Sequence, residues 1–152
     1  MPKNYEAPTF VLSDGVDSRK YKKWLTAKAR AHVKRDAIRK LAVEYASYKD
    51  AIHAAVLTSE GKDAYTGEKL DWSLIGRYNN EDSKKERVKY KKKFALLPTV
   101  DHIDAEAAQA TFTICGWRTN DAKNDMSIGE LRSLCERVLE HAGYAVERPL
   151  SA

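Results

Sequence analysis

The chain has 152 residues, 43% hydrophobic and 32% charged, with a formal net charge of +5. That balance predicts one soluble globular domain, and a chain of this length buries roughly 70% of its unfolded surface. No run approaches the roughly 18 apolar residues of a membrane span, and the acid-containing N-terminus lacks the apolar core of a signal peptide. Cys115 and Cys135 have neither CxxC spacing nor the density of a disulfide scaffold. The expectation is a cytoplasmic protein with no membrane partner.

In chain order, Asp14 to Ser18 reads as a helix start, with Asp17 and Ser18 as caps. Trp24, Ala27, Ala31, Ile38, Leu41 and Tyr45 then fall near one helical face, interrupted by Lys34. The opposite face is basic: from Arg19 to Lys40 there are ten Lys or Arg and one acid, Asp36. Tyr48, Ala51, Ile52, Ala55 and Val56 predict a second helix that stops at Gly61. Asp63 to Trp72 reads as a tight turn around Gly67.

The following stretch, from Ser73 to Lys93, is polar. Lys84 to Lys93 holds seven Lys or Arg and one acid, and the whole stretch reads as a surface loop leading into a strand. The two basic segments together carry 17 of the 27 basic residues, a clustering that suits a polyanion.

Two strands come next. "KFALLPTVDHI" is the first, and "ATFTICGW" is the second, with Phe112 and Ile114 on one face and Thr113 and Cys115 on the other; "EAAQ" connects them. "RTNDAKNDM" starts a helix with Thr119 as its cap. Ser127 and Glu130 form a capping box for a last helix, with Leu131, Leu134, Cys135, Val138 and Ala142 as a buried stripe and Gly143 as the stop. His32 and His53 read as surface or packing residues, His141 as a helix-end partner for free carbonyls, and Trp72 and Trp117 as core.

Asp101 and His102 stand side by side at the end of the first strand, and Asn120-x-x-Lys123 opens the helix after the second. Hydrolysis of a phosphodiester needs an activated water, counter-charge for the phosphate and help for the leaving oxygen. The imidazole of His102 titrates near neutrality and suits a general base. The hard oxygens of Asp101 and Asn120 suit Mg²⁺ or Mn²⁺. Successive strand residues face opposite ways, so both Asp101 and His102 reach one ion only if the strand bends there. On a helix, positions 120 and 124 share a face, which makes Asn124 a further candidate ligand. Arg118 and Lys123 are placed to meet phosphate oxygens.

"TVDHID" followed by "FTICGWRTNDAKND" resembles the motif of the HNH endonucleases, the ββα-metal or His-Me finger superfamily, over roughly Tyr65 to Met126. The resemblance implies an α+β fold: a basic helical part over residues 1–60, an HNH ββα-metal core over 61–126 and a closing C-terminal helix over 127–145, in a single domain. It implies Asp101 and Asn120 as metal ligands, His102 as general base, and catalysis with Mg²⁺ or Mn²⁺, one ion per site. Many members also carry two CxxC pairs that bind a structural zinc. Here their places are taken by "AYTGEKL" and "CGWRTN", so the chain resembles a zinc-ribbon-less variant and no structural zinc is expected. The family's middle Asn falls near Thr111.

The implied partner is DNA, with RNA open as well. Lys34 and Arg35 on the first long helix, and Lys89, Lys91, Lys92 and Lys93, would hold its backbone without reading sequence. Two other readings stand beside the endonuclease: a degenerate HNH module that binds nucleic acid without cutting, and a protein-interaction or inhibitor domain with an acidic partner.

Overall fold

The computed structural model describes residues 3–38, 44–103 and 110–150. It is an α+β protein of seven α-helices, one 3-10 turn (Trp72–Leu74) and a two-stranded antiparallel sheet among those residues. The chain divides into two compact units, Met1–Ala122 and Lys123–Ala152. No described helix is long and apolar enough to cross a membrane.

In the first unit, a short helix α1 (Thr9–Ser13) follows Pro8, and the long helix α2 (Ser18–Ile38) starts where the Asp17 carboxylate accepts the Lys20 N–H at 2.7 Å. This is the side-chain satisfaction that a helix N-terminus requires. The buried stripe of α2 is Tyr21, Leu25, Ala29, His32 and Asp36. The face expected from hydrophobicity is not the one that packs: Ala27 and Ala31 are exposed and Ile38 is 77% exposed. Polar side chains on the true stripe, His32 and Asp36, hide its periodicity. Leu41 and the connection 106–109 lie outside the described residues.

Helix α3 (Tyr45–Ser59) packs on α2 and against the sheet through Tyr48, Ile52 and Val56, which recur every fourth residue as one helical face must. It ends with Glu60 at φ 51° and Gly61 at φ 82°, a left-handed stop that glycine adopts without cost. Leu70, Trp72, Ile75, Val100, Phe112 and Ile114 complete the core around Val11, Tyr21 and Leu25. Trp24 stands edge-on to Trp72 with ring centres 5.1 Å apart.

The stretch expected as a loop before the first strand holds two short helices, α4 (Asn80–Glu86) and α5 (Val88–Lys93). The Asn79 side-chain oxygen caps α4 by accepting from Glu81 and Asp82, and those acids sit at the positive end of the helix. Tyr90 and Phe94 stack at 4.5 Å; their spacing of four is helical contact, not strand alternation.

Strand β1 (Pro98–His102) pairs with β2 (Phe112–Gly116) in regular register, Pro98 opposite Gly116 and His102 opposite Phe112. Helix α6 (Trp117–Lys123) follows β2 without a connecting residue. Its start lies two residues before Thr119, so Thr119 is inside the helix and does not cap it.

In the second unit, helix α7 (Ile128–His141) begins with the expected capping box between Ser127 and Glu130. Its apolar stripe is not core, because no residue of α7 is buried: Leu134 is 45% exposed and Val138 60%. The apolar stabilisation of the first unit comes from α2, α3 and the sheet.

One buried carboxylate locks the turn at residues 63–70 onto the β2–α6 junction. Asp63 Oδ1 accepts the N–H groups of Tyr65 and Thr66 at 2.8 and 3.1 Å. Its Oδ2 accepts from Gly116 N–H at 2.8 Å and the Thr119 hydroxyl at 2.7 Å. A Cβ at Gly116 would stand 2.8 Å from the Ala95 carbonyl and 3.3 Å from Asp63 Oδ2, which is why glycine is needed there. Asp63→Ala leaves these donors without their acceptor and should cost about 3 kcal/mol or more of unfolding free energy. Urea denaturation checks it; a midpoint equal to wild type would show that Asp63 is no such lock.

Candidate functional site

The regular register of β1 sends Asp101 and His102 to opposite faces, with no bend between them. His102 shares its face with Phe112, whose ring centre lies 4.9 Å away, and with His32 at the same distance. All three rings are buried.

Both ring nitrogens of His102 are engaged by α2. Nε2 lies 2.9 Å from Asp36 Oδ2, and Nδ1 lies 2.7 Å from Arg35 Nη2. A guanidinium can only donate, so Nδ1 holds its lone pair toward Arg35 and the ring proton sits on Nε2, donated to Asp36. The same Arg35 nitrogen lies 3.2 Å from His32 Nδ1.

Asp36 is 1% exposed, and Tyr48 donates to the same Oδ2 at 2.6 Å. Burial is the largest influence on this carboxyl and pushes its pKa up. The hydrogen bonds from Tyr48 and His102, with the charge of Arg35, outweigh burial and bring the pKa below its ordinary value. Asp36 is therefore a carboxylate at neutral pH. Its Oδ1 is buried with no partner among the described residues. The Tyr48 hydroxyl is pushed up to about 12, first by burial and then by Asp36.

On the other face of β1, the Tyr65 hydroxyl donates to Asp101 Oδ2 at 2.7 Å and orients that buried carboxylate. Burial, and then the bond to Asp101, push Tyr65 up. Lys28 from α2 donates to Thr99 Oγ1 at 3.2 Å, and burial pushes its ammonium down. Through Asp63, the turn that carries Tyr65 is tied to α6, the helix that carries Asn120. Asn120 is half-buried and is the fourth residue of α6.

The remaining candidates fall differently. Asn124 lies past the end of α6 with φ 50°. That is the left-handed position of a helix stop, so the helical spacing that paired it with Asn120 does not hold. Arg118, expected at phosphate, is ion-paired with Glu68, and Lys123, also expected there, is buried. Lys91 pairs with Asp121 at 3.6 Å and Lys93 with Glu86 at 3.3 Å. Lys34, Lys89 and Lys92 are exposed. Arg35 is exposed as a residue but directs its guanidinium at the two histidines.

Sequence reasoning missed Asp36, Tyr48, Tyr65 and Asp63. For Asp36 there was a signal. It is the lone acid in a basic helical run, four residues after His32, and that spacing puts both on one face.

The donor types of Asp101 and Asn120 suit a small hard cation: Asp101 would supply a carboxylate oxygen oriented by Tyr65, and Asn120 an amide oxygen. Two Asn and one Asp were expected; with Asn124 at the helix stop, the set is one carboxylate and one amide. Substrate phosphate and water would have to complete the coordination.

Burial is the main reason that His32 is held down to about 3 from an ordinary 6.5, helped by the charges of Arg35 and Lys28. The folded protein thus keeps His32 neutral while the unfolded chain protonates it. The stabilisation is complete above about pH 6.5 and is lost as pH falls from there toward 3, by about 1.4 kcal/mol per pH unit. His53, also lowered by burial, adds the same sign. Asp36 loses its contribution only below the ordinary carboxylate range. Between pH 6.5 and 5 the urea midpoint should fall steeply, and His32→Phe should remove a large part of that slope. An unchanged slope in His32→Phe would contradict a neutral buried His32.

Comparison of the chain with protein-family models, with curated proteins and with solved structures finds no match.

Proposed function

We propose that the chain is a divalent-metal-dependent endonuclease of the HNH, ββα-metal type, with His102 as general base and Asp101 and Asn120 as metal ligands. The observation that carries this reading is the orientation of His102: its Nε2–H is donated to a buried carboxylate at the end of β1, with Asp101 on the opposite face of the same strand. A hairpin leading directly into a helix with Asn120 supports the same reading. An imidazole oriented by a carboxylate is the arrangement that general-base chemistry uses.

A bound Mg²⁺ or Mn²⁺ would counter the phosphate charge and stabilise the leaving oxygen. The protein's own groups do the rest. Asp36 fixes the ring and its tautomer, and Tyr48 fixes Asp36. Tyr65 orients the Asp101 carboxylate. The exposed lysines Lys89 and Lys92 on α5 and Lys34 on α2 offer backbone phosphates a positive surface.

One observation favours a second reading, a module that binds nucleic acid and does not cut. In this structure Arg35 holds Nδ1 of His102, the nitrogen that a general base needs.

Supercoiled plasmid with Mg²⁺ separates the two. The endonuclease nicks or linearises it, and His102→Ala lowers turnover by about 10²-fold or more with duplex affinity almost unchanged. The module would bind and leave the plasmid intact. For binding, log K falls with log salt by about 0.9 per phosphate contact. The double variant Lys89→Gln, Lys92→Gln should therefore flatten that slope by about 1.8; an unaltered slope would move the contacts off α5.

A further inference from the structure

We propose that Arg35 is a phosphate-operated cap on the base nitrogen. In the substrate-free protein its guanidinium holds Nδ1 of His102. A backbone phosphate of the substrate takes the guanidinium over and leaves Nδ1 open to water. The cap rests on the endonuclease reading of His102, but the geometry that suggests it does not.

Three observations point to it. First, the 2.7 Å contact between Arg35 Nη2 and Nδ1 fills the one ring nitrogen that Asp36 leaves available. Second, the partners of Arg35 are poor ones for a guanidinium. Its hydrogen-bond partners are two imidazole nitrogens, at 2.7 and 3.2 Å; the Asp36 carboxylate acts on it only through space, and among the described residues Arg35 has no salt bridge within 4.0 Å. A phosphate offers paired anionic oxygens that match the guanidinium fork, and such charge-assisted bonds are roughly twice as strong as bonds to neutral acceptors. Phosphate therefore wins the competition when it arrives. Third, Arg35 is exposed as a residue while His102 is buried, so a ligand from solvent meets Arg35 before it meets His102.

Once the cap has moved, the proton balance closes on this chain and water. A water O–H bond breaks and its proton forms the Nδ1–H bond, giving an imidazolium whose Nε2–H still donates to Asp36. The hydroxide oxygen bonds to phosphorus, the bond from phosphorus to the leaving oxygen breaks, and that oxygen takes a proton from solvent. The imidazolium then returns its Nδ1 proton to solvent. Asp36 stays a carboxylate throughout and is a positioning residue. The device keeps the base out of use until nucleic acid is bound.

The test has two arms on the full chain. In the first, inorganic phosphate is titrated into protein labelled with ¹⁵N in its histidines, and the Nδ1 resonance of His102 is followed. The cap predicts a saturable shift in the wild type and none in Arg35→Ala, whose spectrum without phosphate already shows an uncapped Nδ1. No response in the wild type overturns the cap. In the second arm, duplex cleavage is measured with Mg²⁺. Arg35→Ala should raise KM by roughly 10- to 100-fold, the worth of a hydrogen bond to a charged group, and keep kcat within about threefold. Asp36→Asn should lower kcat instead. Arg35→Lys, which retains charge but not the fork, should recover only part of the KM. A fall in kcat for Arg35→Ala as deep as that of His102→Ala, with KM unchanged, also overturns the cap. A clear phosphate response in a wild type that cuts no DNA would support the cap and sink the endonuclease reading.

Discussion

The Asp36 carboxylate is the constraint on which the candidate site depends. It is buried, it accepts from Tyr48 on α3 and from His102 on β1, and it grows from α2. A buried carboxylate without partners costs several kcal/mol, and removing one partner from such a set is far more damaging than the net worth of the bond suggests. The three elements are therefore held in one relative arrangement by a polar contact, within a core that apolar packing alone would leave more tolerant of sliding. The same contact sets the tautomer of His102. Fold and chemistry share an atom, Asp36 Oδ2.

A second aspartate does parallel work on the other face of β1. Asp63 gathers four donors from the turn at 65–66 and the β2–α6 junction, and Tyr65 from that turn reaches Asp101. Two carboxylates thus tether the segments that present Asp101, His102 and Asn120. The site is supported by hydrogen bonds to rigid elements, which is what a reactive geometry needs if it is to hold to within a fraction of an ångström.

How much of this was legible in the sequence follows from what hydrophobic periodicity can see. The hairpin was readable because Val100, Phe112 and Ile114 alternate with polar residues, and α3 because Tyr48, Ile52 and Val56 keep an interval of four. The packed face of α2 was not, because two of its five buried positions are His32 and Asp36, while apolar Ile38 points to solvent. Helices α4 and α5 were hidden by their charge, although Asn79 before two acids is a start signal that local chemistry supplies. The stripe of α7 shows the converse error: apolar spacing states what could be buried, not what is. Asp101, His102 and Asn120 could be picked out by chemical type and spacing. Of their supports only Asp36 left a trace, as the lone acid of a basic helix; Tyr48, Tyr65 and Asp63 come from other segments of the chain and are joined to the site by tertiary contact alone.

The central claim is that Asp36 orients the His102 ring by accepting its Nε2–H, with Nδ1 turned to Arg35. The most direct measurement is the pair of ring ¹⁵N chemical shifts of His102 in the resting protein near pH 7.5, in wild type and in Asp36→Asn. The account predicts a pyrrole-type Nε2 and a pyridine-type Nδ1 in the wild type, and a change in that tautomer balance when the carboxylate becomes an amide. A wild-type His102 protonated on Nδ1, or a ring whose shifts are the same in Asp36→Asn, would contradict it.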